Sequence, residues 1–139
     1  MADDALTVLV YSDDRNTRDQ VRLALGRRPA SDLPPVEFVD VATDWAVMDR
    51  LRGGDIDLAI LDGEAVPAGG LGVCRTIKQE VFQSPPVLLL IARPDDRWLA
   101  SWSRADGVVA HPLDPIATAA AAAGLLRARV AAGAATASS

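Results

Sequence analysis

The sequence predicts an α/β fold, a doubly wound sheet of five parallel strands carrying five helices. Three observations lead there. Short apolar runs alternate with helix-compatible segments five times along the chain. Several of those runs, Val87–Ile91 above all, are apolar at nearly every position, as strands covered on both faces are. Turn-forming and acidic residues gather where the runs end, as at Ser12-Asp13-Asp14 and Asp62-Gly63-Glu64. Strand-then-helix repeats imply a parallel sheet with right-handed crossovers and helices on both faces.

Each element has its own signal. Leu6–Tyr11 is a β-branched, apolar strand ended by Ser12-Asp13-Asp14. Asn16 or Thr17 is the expected cap of a first helix that runs to about Arg28 and presents Val21, Leu23 and Leu25. Pro29 and Asp32–Pro35 break it. Val36–Val41 alternates and forms the second strand. Thr43 or Asp44 caps a helix with Trp45, Val47, Met48 and Leu51, closed by Gly53-Gly54. Asp57–Leu61 is the third strand, with Asp62 at its end and a loop over Gly63–Gly70. A helix over Leu71–Phe82 stops before Pro85-Pro86, and Val87–Ile91 follows as the fourth strand. Asp95 or Asp96 opens a helix to Ser103, and Gly107–Ala110 is the fifth strand. Asp114-Pro115 opens the last helix, with proline favoured at the first helical position.

Length and composition set the bounds. The chain has 139 residues, enough for one core, with residues 1–130 expected as one domain and 131–139 as a flexible tail. Half of the residues are hydrophobic and 24% are charged, a globular balance. The formal net charge of −5, with basic residues dispersed among acids, argues against nucleic acid as a partner. Cys74 is the single cysteine, which excludes an internal disulfide or a cysteine-rich metal site and fits a reducing, cytoplasmic setting. The acidic start Met1-Ala2-Asp3-Asp4 lacks the basic opening of a secretory signal, and no apolar run approaches the 20 or so residues of a membrane span, so no membrane insertion is expected.

Ligand sites of such sheets lie at the carboxyl ends of the strands. That rule selects four places, Ser12–Asp14, Asp62–Glu64, Ile91–Ala92 and Ala110–His111, and puts Asp13 and Asp14 at the end of the first strand and Asp62 at the end of the third. If those strands are neighbours, the carboxylates share a crevice, where they need a cation or a shared proton. Hard oxygen ligands suit Mg2+, and a carboxylate beside it can act as a nucleophile toward phosphorus. The alternative is that each Asp is a turn former or helix cap.

In order and spacing, five segments resemble response-regulator receiver domains: Val8–Asp14, Asp57–Asp62, Gly70–Ile77, Pro86–Arg93 and His111–Pro115. The resemblance covers Leu6 to about Val130 and implies a flavodoxin-like sheet of order 2-1-3-4-5. It implies Asp62 as the phospho-acceptor, Asp13 as the main Mg2+ ligand and Glu64 as donor of a backbone carbonyl to the metal. Ser12 stands where the family usually carries another acid, with Asp14 a less favoured ligand beside it.

Several positions depart from the family pattern. Ile91 stands where a Ser or Thr hydroxyl normally bonds the phosphoryl group. His111 replaces an extended lysine, and a short, mostly neutral imidazole is a poor substitute. Val108 replaces the aromatic switch residue, and the loop proline is displaced to Val66-Pro67. The nucleophile and one metal ligand therefore remain, while three parts of the readout are missing. The expectation is a stand-alone, atypical receiver that binds a protein partner largely without phosphorylation. It would not be an enzyme beyond weak self-phosphorylation at Asp62, and any Mg2+ would be held weakly.

Trp98 and Trp102 are four residues apart, hence on one helical face. They are either core residues or anchors for a partner, a use that tryptophan favours. By the resemblance, Trp98 matches a packed position, Trp102 an exposed one, and the family signals through the fourth helix, fifth strand and fifth helix. Two other readings stay open. One is a conventional aspartate-phosphorylated receiver or phosphotransfer shuttle, with a histidine kinase as its implied partner. The other is a flavodoxin-like enzyme or small-ligand binder, against which counts the lack of a phosphate-cradling loop after the first strand.

Overall fold

A computed structural model of the chain describes residues 5–64, 69–81 and 83–138. Its five strands are β1 Leu6–Tyr11, β2 Val36–Val41, β3 Leu58–Asp62, β4 Val87–Ile91 and β5 Gly107–Ala110. They form one parallel sheet in the order β2-β1-β3-β4-β5. Between and after them run α1 Arg15–Leu25, α2 Asp44–Arg52, α3 Gly70–Glu80, α4 Trp98–Ser103 and α5 Pro115–Ser138. The doubly wound architecture and the strand order expected from the sequence are both present.

Strand alternation divides the apolar residues into two cores. Val8 and Val10 of β1, Leu58 and Ile60 of β3 and Leu88 and Leu90 of β4 meet Val21 and Leu25 of α1 and Ala122, Ala123 and Leu126 of α5. Leu9, Tyr11, Leu61, Leu89 and Ile91 meet Val47 and Leu51 of α2 and Val73, Cys74 and Ile77 of α3 on the other side. This double burial explains the unbroken apolar runs of the central strands. The edge strand β2 exposes Glu37 and Asp40, three positions apart and so on opposite faces, and it does not show the strict alternation expected from the sequence.

Several ends differ from the sequence expectation. Asp14 caps α1 by accepting from the Asn16 amide at 2.9 Å, in place of Asn16 or Thr17. Aspartate ranks at the top of cap residues, and an extended Asp14 leaves its side chain free to fold over the first turn. The helix stops at Gly26, whose φ of 61° is the left-handed turn that glycine adopts at no steric cost, and not near Arg28. Thr43 caps α2, as one of the two expected residues. A 3-10 turn at Pro94–Arg97 precedes α4 and shortens it to six residues. Helix α5 continues to Ser138 through the region expected as a tail from 131, where alanine, the best helix former, outweighs Gly133 and no proline intervenes. Val66-Pro67 and Phe82 lie outside the described residues.

Side-chain bonds tie α3 to its neighbours. Lys78 Nζ and the Val87 amide both donate to the Asp106 carboxylate at 2.7 Å. The Cys74 thiol donates to the Ser103 carbonyl at 3.3 Å. Burial pushes that thiol up to about 11. Since the thiolate is the reactive form, native Cys74 is expected to resist alkylation at neutral pH and to react fully once the chain is unfolded. A thiol-modification time course followed by intact mass checks this.

Gly70 opens α3 against the exit of β3, where an added Cβ would lie 2.6 Å from the Asp62 carbonyl oxygen. Gly70→Ala is expected to cost about 1–3 kcal/mol in urea denaturation, the usual range for overpacking against an immovable neighbour.

Candidate functional site at the carboxyl ends of β1 and β3

The register of the sheet builds the site. Tyr11 of β1 pairs with Leu61 of β3, so the next residues along, Ser12 and Asp62, stand side by side. Both are polar residues in a buried setting, with Ser12 fully enclosed and Asp62 only 4% exposed. The Ser12 hydroxyl donates to Asp62 Oδ2 at 2.7 Å, and the Glu64 amide donates to Asp62 Oδ1 at 2.9 Å. Each carboxylate oxygen therefore has a donor, which offsets the cost of burying the charge.

Ser12 is held on every side. Its hydroxyl also accepts from the Asp14 amide at 3.0 Å, and its own amide donates to the Val41 carbonyl at 3.2 Å. Arg18 reaches back from α1 to donate from Nη1 to the Ser12 carbonyl at 2.6 Å. The same guanidinium faces Asp40 at the end of β2 at 3.6 Å, and Arg22 pairs with Asp40 at 2.7 Å. The sequence reading missed Arg18. Its signal was a position one helical turn past the Asp14 cap, pointing back at the strand end.

The three candidate carboxylates do not converge. Asp62 is buried, Asp13 is exposed, and both Asp14 oxygens serve α1, receiving the Asn16 amide at 2.9 Å and the Thr17 hydroxyl at 3.4 Å. Among the described residues no group of three or more His, Cys, Asp or Glu side chains is placed to hold a metal ion. The Mg2+ that the family implies would find the Asp13 carboxylate, the Glu64 carbonyl and an Asp62 already hydrogen-bonded at both oxygens. The position of a further acid is filled by a neutral hydroxyl. Mg2+ usually takes one or two carboxylates and keeps several waters, so Asp13 and Asp62 would hold it only where the cation displaces the Ser12 hydroxyl from Asp62 Oδ2.

The remaining sequence candidates are spread over β4, α4, β5 and the exit of β5. Ile91 is 2% exposed at the end of β4, and its carbonyl accepts from the His111 amide at 2.8 Å. Val108 of β5 packs on the core shared with α2 and α3. His111 precedes a cis peptide bond to Pro112. Trp98 and Trp102 are both exposed, at 65% and 48%, although the resemblance matched Trp98 to a packed position.

Tyr11 carries the electrostatic mark of this end of the sheet. Its phenol is pushed above its ordinary value of 10.0, first by burial and then by the charges of Asp44, Asp13 and Asp62. It is the chain's single tyrosine, so its ionisation can be followed in isolation by ultraviolet difference spectroscopy. Ionisation in the folded chain is expected above the ordinary phenol range, and Asp44→Asn is expected to bring it down. Because the folded value is the raised one, stability is unaffected below pH 10.0 and falls as pH rises from there through the folded value.

No protein-family model matches the chain. An uncharacterized response regulatory protein of Mycobacterium tuberculosis, recorded in strains CDC 1551 / Oshkosh and ATCC 25618 / H37Rv, is 54% identical over 112 residues, covering 81% of this chain and 84% of the relative. Among solved structures, a CheY-like receiver domain protein of Methanospirillum hungatei JF-1 matches with a TM-score of 0.70 at 15% identity, covering 91% of this chain and 97% of that one. The receiver domain of an HD domain-containing protein from Pseudomonas fluorescens Pf-5 matches with a TM-score of 0.75 at 16% identity, covering 94% and 93%. The chemotaxis response regulator CheY4 of Vibrio cholerae matches with a TM-score of 0.69 at 17% identity, covering 88% and 99%. The structural likenesses speak for the fold, and the mycobacterial relative speaks for the family. With its sheet order, its Asp62 at the end of β3 and a relative sharing over half of its aligned residues, this chain belongs to the response-regulator receiver domains of two-component systems.

Proposed function

We propose that the chain is an atypical receiver that works by binding another protein, largely independently of phosphorylation at Asp62. The observation that carries this reading is the occupied state of Asp62, whose two oxygens accept from Ser12 and Glu64 while the neighbouring readout positions carry no hydroxyl and no ammonium. A phosphoryl group can shift an equilibrium only through contacts that differ between two states. Ile91 offers no donor and Val108 no rotating aromatic ring, so such contacts are few.

The exposed aromatic residues support a docking face. The Arg75 guanidinium of α3 stacks over the Trp102 ring at 4.8 Å and donates to the Trp102 carbonyl at 3.0 Å. Trp102 therefore leans toward α3, and the proposed interface centres on the α3–α4 seam. That moves it away from the α4–β5–α5 face expected from the sequence. A planar cation over an indole presents a rigid, half-apolar surface of the kind that anchors protein contacts.

The alternative is a conventional receiver or phosphotransfer shuttle that takes a phosphoryl group from a histidine kinase, and it is favoured by the retention of Asp62 itself. One experiment separates the two. The chain is incubated with acetyl phosphate and Mg2+, and intact mass and partner recovery from the native host are both measured. The proposed reading expects substoichiometric phosphorylation, undiminished partner recovery with Asp62→Asn, and several-fold loss with Trp102→Ala. A stoichiometric phosphoryl adduct that is lost in Asp62→Asn, together with loss of the partner in that variant, would establish the conventional reading.

A further inference from the structure

We infer that Ser12 is the residue that closes the Asp62 site to divalent cations. The inference deepens the reading above and rests on it. Side by side with Asp62 at the carboxyl edge, Ser12 supplies a hydroxyl where the register places the nearest β1 side chain. That hydroxyl has two simultaneous bonds, donating to Asp62 Oδ2 at 2.7 Å and accepting from the Asp14 amide at 3.0 Å. It cannot turn away without leaving the buried carboxylate one donor short.

The backbone leaves it no freedom either. The Ser12 amide is bonded to Val41 and its carbonyl to Arg18, so the residue is fixed between β2, β3 and α1. The next carboxylate along the chain, Asp14, is spent on the cap of α1. A cation approaching Asp62 would therefore have to displace the Ser12 hydroxyl and would gain only Asp13 as a second charged ligand. Affinity for hard divalent ions follows ligand charge count and site rigidity. One side chain thus both removes a ligand charge and blocks an oxygen of the remaining ligand.

Isothermal titration of the full chain with MgCl2 tests this, with circular dichroism recorded for every variant. Wild type is expected to show weak, non-saturating heats. Ser12→Asp is expected to bind at least about tenfold more tightly, since it restores a charged oxygen ligand. Ser12→Ala, which frees Asp62 Oδ2 without adding a buried charge, is expected to fall between the two, and it keeps the test decisive if Ser12→Asp does not fold. Asp62→Asn in either background is expected to abolish the gain. Folded Ser12 variants that bind Mg2+ no better than wild type would overturn the inference while leaving partner binding without phosphorylation standing. Wild type that already binds as tightly as Ser12→Asp would overturn the inference too. Failure of the parent reading shows elsewhere, as loss of the partner in Asp62→Asn.

Discussion

The structure depends on one constraint: the three central strands are buried on both faces. Val8–Tyr11 of β1, Leu58–Leu61 of β3 and Val87–Leu90 of β4 have no exposed surface. Within them every side chain, whichever way it points, meets a helix layer. A polar side chain there must find a partner inside the protein, so few are present. Polar side chains are thereby moved to the two ends of these strands, and Ser12 and Asp62 lie at the carboxyl end. Asp62 is the first polar residue of β3 and Ser12 the first after the apolar run of β1, and parallel pairing brings them together.

That confinement explains the electrostatics of the edge. Asp62 is buried as a carboxylate and would be costly without donors. A second acid beside it would add like-charge repulsion that only a cation or a proton relieves. Ser12 resolves the problem differently, with a neutral donor that satisfies one oxygen and adds no charge. The protein supplies its own fixed cation nearby, as Arg18 bonds the Ser12 carbonyl and faces Asp40. The negative charge that remains at Asp44, Asp13 and Asp62 is felt by the buried Tyr11 phenol.

Much of the fold was legible because double burial writes itself into sequence as continuous apolar runs. All five strands were found within a residue of their ends, and the order followed from the family resemblance. The site was legible in position but not in bonding. Asp13, Asp14 and Asp62 were correctly placed at strand ends, yet sequence gives an aspartate two competing tasks, ligand and cap, without choosing between them. The backbone conformation at Asp14 chose the cap. Likewise Trp98 and Trp102 fall on one helix four residues apart as expected, but the neighbour that Trp102 meets is Arg75, 27 positions earlier and on a different helix. Arg18 escaped notice because its target is a backbone carbonyl, so its place one turn past the Asp14 cap was its sole signal.

The α3–α4 seam and the Asp62 site bear on the same proposed reading. A receiver that switches needs an element with two arrangements close in free energy. Here α4 is short and joined to α3 by the Cys74–Ser103 bond and by the Arg75–Trp102 stack and hydrogen bond. Lys78 and Asp106 extend the tie to the loop before β5. The exposed ion pair contributes little by itself. The buried thiol bond is different, because it lies within the core that Cys74 shares with β3 and β4. Moving α4 would therefore disturb α3 and the core together. On the proposed reading, a surface fixed in this way is already in its binding arrangement before any modification, which lowers the ordering cost of docking. On the proposed reading, the loss of readout groups around Asp62 and the fastening of α4 to α3 are two sides of one adaptation: the fold retains the receiver's rigid platform, and its output face no longer requires a signal to form.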